Sequence, residues 1–136
     1  MDVDSPLFSV VVPTFNREGH LGRCLDSIVY QSFHDHEVVV VDNASTDGTV
    51  EVALDFAGRL DVRVLVNDSN RERSYSRNRG AENARGRFVV FLDSDDVLRP
   101  DSLELAAAFV EADPDRRFFF QRLTIVDESG ATVYEP

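Results

Sequence analysis

The sequence predicts an α/β fold, a mostly parallel sheet flanked by helices on both faces, and three observations lead there. Apolar runs of strand length at 7–12, 38–41 and 88–92 alternate with segments whose apolar residues recur at helical spacing. The strand runs are continuously apolar, as strands covered on both faces are. The chain has 136 residues, 43% hydrophobic and 29% charged, with no low-complexity tract or solenoid repeat, which suits one domain with one sizeable core.

Taken in order, residues 7–12 form the first buried strand, which Pro13 ends. Asn16 is a candidate N-cap for a helix of about four turns. Its inward stripe is Leu21, Cys24, Leu25 and Ile28. The valines at 38–41 favour a central strand, since β-branched side chains are stiff in helices and pack well on a pleated surface. Asp42 lies at its carboxyl end. Ser45 can cap the next helix, on which Val50, Ala53, Leu54 and Ala57 share a face before Gly58 stops it. Residues 62–66 supply a short strand, 74–85 a helix and 88–92 another strand. Pro100 stands where the first turn of a further helix begins, with Leu103, Ala106, Ala107 and Val110 buried and Asp113-Pro114 as its stop. Residues 118–126 read as a strand turned by 127–130. Repeated β-α units imply right-handed crossovers.

The 14 basic and 25 acidic side chains give a formal charge of −11, which argues against nucleic acid as a partner. Every basic residue is Arg, and Arg71, Arg73, Arg77, Arg79, Arg85 and Arg87 crowd into one stretch, so a small anion can still find local positive charge. The lone Cys24 cannot form an internal disulfide and falls on an apolar stripe, where it packs. No signal pattern opens the chain, and no apolar run approaches the roughly 20 residues that span a bilayer. The expected setting is cytoplasmic, with peripheral attachment at the inner membrane face left open.

In open α/β sheets ligands bind beyond the carboxyl ends of the strands. Four polar motifs occupy such positions: Pro13-Thr14-Phe15-Asn16, Asp42-Asn43-Ala44-Ser45, the Arg-rich segment, and Asp93-Ser94-Asp95-Asp96. Mg²⁺ and Mn²⁺ prefer oxygen ligands and commonly take one or two carboxylates while substrate phosphates complete the shell, which nominates Asp95 as metal ligand. Alternation along an extended segment puts Asp93 on the same side, facing a ribose hydroxyl or a metal-bound water. The alternative is a solvated turn that caps the following helix. Arg77 shares its stripe with Gly80, Ala81 and Ala84 and should point inward, towards a diphosphate or into an ion pair with one of the aspartates. Arg79 and Arg85 are expected in solvent, and Asn78 only fixes a loop. Asp42 either accepts the imide hydrogen of a pyrimidine base or a ribose hydroxyl, or builds a turn with Asn43. Thr14 and Phe15 can flank the base, unless Phe15 is core. His20, His34 and His36 read as surface or helix-end residues.

Together these segments resemble the nucleotide-binding half of family-2 inverting glycosyltransferases with the GT-A fold, whose donor domain is Rossmann-like. The resembling stretches are residues 10–17, 37–49, 76–81, 84–86 and 91–96 continuing to Pro100, in order along nearly the whole chain. The resemblance implies a nucleoside-diphosphate-sugar donor, held by Pro13, Thr14, Phe15, Asn16, Asp42, Asn43, Arg77, Asp93 and Ser94. It places Asp95 on Mg²⁺ or Mn²⁺ and implies a sugar, lipid-linked or small-molecule acceptor, in work such as cell-surface polysaccharide assembly. In the family an Asp or Glu of the acceptor-binding half deprotonates the attacking hydroxyl. Family members usually continue well past the length of this chain, so residues 1–136 are expected to be a single donor-binding domain cut before that half, with the general base absent. Asp127 and Glu128 read as a hairpin turn instead. Two alternatives follow: a donor-binding but catalytically incomplete fragment or module, whose exposed apolar surface favours self-association, and a haloacid-dehalogenase-like phosphatase using Asp93 and Asp95. The second resembles this chain poorly, because such enzymes carry that loop on their first strand and need a later Lys, and the chain has none. A dinucleotide-binding site is disfavoured by Pro-Thr-Phe-Asn where a Gly-rich turn would stand.

Overall fold

The order of strands in the sheet, not their order in the chain, decides where this protein can bind a ligand. The computed structural model describes residues 5–135. Strands β1 (Phe8–Thr14), β2 (His36–Asp42), β3 (Val62–Val66) and β4 (Phe88–Phe91) form one parallel sheet in the order β3-β2-β1-β4. Helices α1 (Leu21–Val29), α2 (Thr49–Leu54), α3 (Arg73–Glu82) and α4 (Ser102–Glu111) separate or follow them, and β5 (Ile125–Val126) pairs with β6 (Thr132–Tyr134) in a small antiparallel hairpin. The chain winds outward from β1 to β3, then returns to lay β4 on the other side of β1. That reversal makes the carboxyl ends of β1 and β4 a topological switch point, where loops diverge and leave a crevice.

Strand alternation splits the core in two. Val10, Val12, Val38 and Val40 point to the face covered by Leu21, Cys24, Leu25 and Ile28 of α1, by Ala53 and Phe56, and by Leu103, Ala106, Ala107 and Val110 of α4. Val11, Val39 and Val41 point to the opposite face with Leu65 and Val89. There α3 lies so close that a Cβ on Gly80 would come 2.3 Å from Val11 Cγ1. Each fully buried valine contributes on the order of 1.5–3 kcal/mol. Helices on both faces of a parallel sheet are as expected.

Several local expectations are corrected. The first strand runs through Pro13 to Thr14, with Pro13 paired against Val41. This is tolerated because the pairing with β4 stops at Val11↔Phe91, so the absent N–H of Pro13 faces a side with no partner strand. Asn16 is not the cap of α1, which begins at Leu21 after a turn closed by His20 and Leu21 N–H donating to Arg17 O. Ser45 does not cap α2 either; its hydroxyl is committed to Asp42. The buried stripe of that region is Thr49, Ala53 and Phe56, while Leu54 is exposed. Pro100 precedes the N-cap of α4, Asp101, which makes no side-chain cap; the buried Gln31 of the opposite helix end accepts Leu103 N–H at 3.0 Å instead. Of the strand expected at 118–126 only 125–126 forms. Phe119 packs its ring on Phe8 and Phe88, which pins 115–124 as irregular chain, while Phe118 and Phe120 stay exposed. The turn at 127–130 is present, held by Asp127 Oδ1 accepting from Ser129 and Ala131.

Arg85 keeps 52% of its side-chain surface in solvent, as expected, and Arg79 is half-buried, but both are partnered. Arg79 Nη1 donates to Val66 O and Asn67 Oδ1, both at 2.7 Å. Arg85 reaches Glu37, which is 1% exposed, and Asp61. Among the described residues Glu37 and Asp42 are the charged members of the buried set, and Glu37 takes hydrogen bonds from Ser9 Oγ, Arg85 N–H, Arg85 Nε and Arg63 Nη2. Burial alone would raise its pKa, but these donors and the two guanidinium charges hold it below the usual glutamate range.

Candidate functional site

A cleft of about 320 Å³ opens at the switch point. One wall is the end of β1 and its loop, Pro13, Thr14, Phe15 and Arg17; the second is Asp93, Ser94 and Asp95 after β4; the third is Asn43 with Asn70, Arg71, Arg73, Ser76 and Arg77 at the start of α3. Among the residues expected at a site, Pro13, Thr14, Phe15, Asn43, Arg77, Asp93, Ser94 and Asp95 are therefore brought together. Phe15 is 40% exposed, at the surface and not in the core.

Asn16 and Asp42 are not on the cleft wall; they join two loops behind it. Asp42 is 1% exposed and accepts from Ser45 N–H at 2.9 Å and Ser45 Oγ at 2.5 Å, which is the turn reading of this residue. Asn16 has φ 48°, a left-handed conformation that Asn tolerates. Its N–H donates to Ser45 Oγ and its Oδ1 accepts Thr46 N–H, both at 2.8 Å. Arg17 N–H donates to Thr49 Oγ1 at 2.8 Å. The β1 and β2 loops are thus one hydrogen-bonded unit that carries Phe15 and Arg17.

The acidic wall is not the extended segment expected: residues 93–96 form a turn, closed by Asp96 N–H donating to Asp93 O at 2.9 Å, and it is this turn that sets the side-chain directions. Ser94 is buried, while Asp93 and Asp95 keep half their side-chain surface in solvent. Arg77 points into the cleft and is paired with Asp93, so its inward direction and the ion pair coexist. Arg17 Nη2 lies 3.9 Å from Asp95 Oδ2. Burial, then the charges of Asp95 and Asp93, raise the pKa of Asp96. Burial and the same three aspartates push the Cys24 thiol up to about 12, so it is protonated and inert.

Two features bear on what the cleft accepts. Thr14 lines the β1 end of the cleft, and its Oγ1 is buried behind that wall with no hydrogen-bond partner. No group of three or more His, Cys, Asp or Glu able to hold a metal occurs among the described residues. A hard cation bound here would take one or two carboxylates from the chain, Asp95 with Asp93 beside it, and phosphate or water oxygens for the rest. Sequence alone did not single out Arg17, Asn70 and Ser76, and marked Arg71 and Arg73 only as part of the Arg-rich segment. Arg73, Ser76 and Arg77 stand at i, i+3 and i+4, one helix face, a spacing that would have found two of them.

The family model described as "Glycosyl transferase family 2" matches residues 9–135. The PGL/p-HBAD biosynthesis glycosyltransferase of Mycobacterium bovis (strain BCG / Pasteur 1173P2) is 40% identical over 108 residues, 78% of this chain and 42% of its own. The poly(ribitol-phosphate) beta-N-acetylglucosaminyltransferase TarS of Staphylococcus aureus (strain Mu50 / ATCC 700699) is 38% identical over 107 residues, 76% of this chain and 19% of its own. A structure of S. aureus TarS in complex with UDP-GlcNAc superposes with TM-score 0.73 and 37% identity over 77% of this chain and 31% of that one. The mannosyltransferase PcManGT from Pyrobaculum calidifontis, in complex with GDP-Man and Mn²⁺, gives 0.74 and 33% over 81% and 33%. The chain spans less than half the length of these relatives. None of these matches supports the phosphatase alternative.

Proposed function

The chain belongs to glycosyl transferase family 2 and has its GT-A type of sheet, and on that footing we propose that it forms the donor-binding part of an inverting glycosyltransferase. In this reading a nucleoside-diphosphate sugar occupies the cleft, an acceptor hydroxyl attacks the anomeric carbon from the opposite side, and the bond to the diphosphate breaks. The observation that carries it is the meeting, at one switch point, of guanidinium groups and half-exposed carboxylates.

Each residue then has a task. Arg77 and Arg17 now face carboxylates; diphosphate oxygens entering between them meet two planar forks suited to bidentate contact. Their charge stabilises the diphosphate as it departs. Thr14 lines the nucleoside end of the cleft, and Phe15 offers an apolar edge to the base. Asp93 meets the ribose once Arg77 turns to phosphate. Asp95 would hold Mg²⁺ or Mn²⁺, which would supply Lewis-acid neutralisation of the leaving group when bound. The cleft wall carries two carboxylates, both engaged with the donor in this reading, so deprotonation of the acceptor is assigned to an acidic residue of an acceptor-binding half.

Titration calorimetry with uridine, guanosine and deoxythymidine diphosphates, each with Mn²⁺, Mg²⁺ or neither, tests the site. At least one should bind in a metal-dependent way, tenfold or more weaker in Asp95→Asn and nearly unchanged in Glu128→Ala. If none binds under any metal condition, the donor site is refuted. Sugar transfer or hydrolysis measured alongside separates an active enzyme from a binding module.

A further inference from the structure

Helix α3 carries Arg73 and Arg77 to the cleft, yet its apolar seat on Val11 and Val41 lies at Gly80, beyond those residues. Its buried residues are Ser76 and Gly80, and no side chain caps its N-terminus. Gly80 seats the second half of the helix on those valines, while its first turn has only Ser76 buried, so polar contacts set the direction of that end.

Those contacts converge on Asn67, the residue after β3, which is 4% exposed and absent from the cleft wall. Its N–H donates to Asp42 O at 2.8 Å. Its Nδ2 donates to Asn43 Oδ1 at 2.8 Å and to Ser76 Oγ at 3.0 Å, and its Oδ1 accepts from Arg79 Nη1 at 2.7 Å. Asn43 extends the relay: its Oδ1 also accepts Arg71 N–H at 2.9 Å, and its Nδ2 donates to Asn70 Oδ1 at 2.9 Å and to Arg71 O at 2.7 Å. One carboxamide therefore ties the end of β2 to two successive turns of α3, and through Asn43 it fixes the approach to that helix. The requirement is specific. Aspartate at 67 would set a carboxylate oxygen against Asn43 Oδ1, and alanine would leave Asn43, Ser76 and Arg79 each short of a partner in a buried space.

We propose that Asn67 is a positioning residue for donor binding: it holds segment 70–77 so that Arg71, Arg73 and Arg77 face the diphosphate, without touching the donor itself. This rests on the donor-site reading above. Preorganised guanidinium groups lose little conformational freedom when the ligand arrives, and a loosened α3 would bind at the cost of ordering them.

The test uses the full chain and the diphosphate, with Mn²⁺, that binds the wild type tightest of the three named above. Asn67→Ala and Asn67→Asp are compared with Val110→Ala, a core truncation in α4 remote from the cleft, at a temperature where all are folded. Amide hydrogen exchange at Arg71 is read in parallel without ligand. Both Asn67 variants should bind tenfold or more weaker and exchange the Arg71 amide faster, while Val110→Ala, though less stable, binds as the wild type does. If the wild type binds and the Asn67 variants bind equally well, or lose no more than Val110→Ala, the positioning role is overturned and the donor site stands. If the wild type binds no diphosphate, the donor site fails and this role falls with it.

Discussion

Replacing Glu37 with leucine removes the acceptor around which the amino-terminal edge of the sheet is organised. The carboxylate is 1% exposed and takes Ser9 Oγ at 2.6 Å, Arg85 N–H at 2.6 Å, Arg85 Nε at 2.7 Å and Arg63 Nη2 at 3.2 Å. The two arginines keep 52% and 36% of their side-chain surface in water, so they recover hydration when the partner goes. Ser9 Oγ and the Arg85 N–H are less free to do so, and orphaned buried donors cost about 1–3 kcal/mol each. Breaking one side of a buried pair typically costs about 3–5 kcal/mol, and that is the expected loss for Glu37→Leu. Against a total of about 5–15 kcal/mol this is severe, a fall in Tm of roughly 10–15 °C. Urea unfolding followed by circular dichroism measures it directly. The charge adds a pH signature. The folded pKa lies below the unfolded value, so the stabilisation is complete above about pH 4.3, the ordinary glutamate value, and is lost as pH falls through the depressed folded one. Glu37→Gln should flatten that acid limb while costing less at neutral pH. A loss under about 1 kcal/mol for Glu37→Leu, with an unchanged acid limb in both variants, would refute the assignment of a structural charge here.

Further outcomes follow from the geometry. Gly86→Ala should destabilise by several kcal/mol, because a Cβ there meets Ser9 N at 2.5 Å and Phe8 C at 2.6 Å, backbone atoms that cannot step aside; a wild-type urea midpoint would contradict this. Arg77→Lys should weaken diphosphate binding in calorimetry by about tenfold, since an ammonium keeps the charge but loses the bidentate fork. Iodoacetamide should leave Cys24 unmodified at pH 8 in the folded chain, as its thiol is pushed up to about 12 and is fully buried; labelling at the rate of an unfolded control, read by mass spectrometry, would show the site to be open.

Much of this architecture was legible because it rests on local periodicity. The valines at 38–41 could only be a covered strand, and Leu21, Cys24, Leu25 and Ile28 could only be one face of a helix. The cleft residues Thr14, Asp93 and Asp95 were legible because they lie at or just past the carboxyl ends of strands, and those ends in a parallel sheet collect at one edge. Helix starts were read poorly. Asn16 and Ser45 have capping side chains, but each found a better partner in the neighbouring loop, a competition decided across about thirty residues of sequence and invisible to a local rule. The partners of Arg79 and Arg85 were not legible for a related reason: Val66 O and Asn67 lie at the end of β3 and Glu37 in β2, outside the segment that carries the arginines.

The sequence alone determined that this is a parallel α/β sheet with polar motifs at its strand ends, because strand and helix periodicities and the chemistry of Asp, Arg and Thr are properties of short segments. Only the tertiary structure decided that β4 returns to the far side of β1, that Arg77 meets Asp93 and Arg17 approaches Asp95, and that Asp42 turns away to build a loop while Asn67 ties α3 in place. Except for the Asp42 turn, those pairings join different elements of the chain, and which partners meet is decided once the sheet has closed around its core.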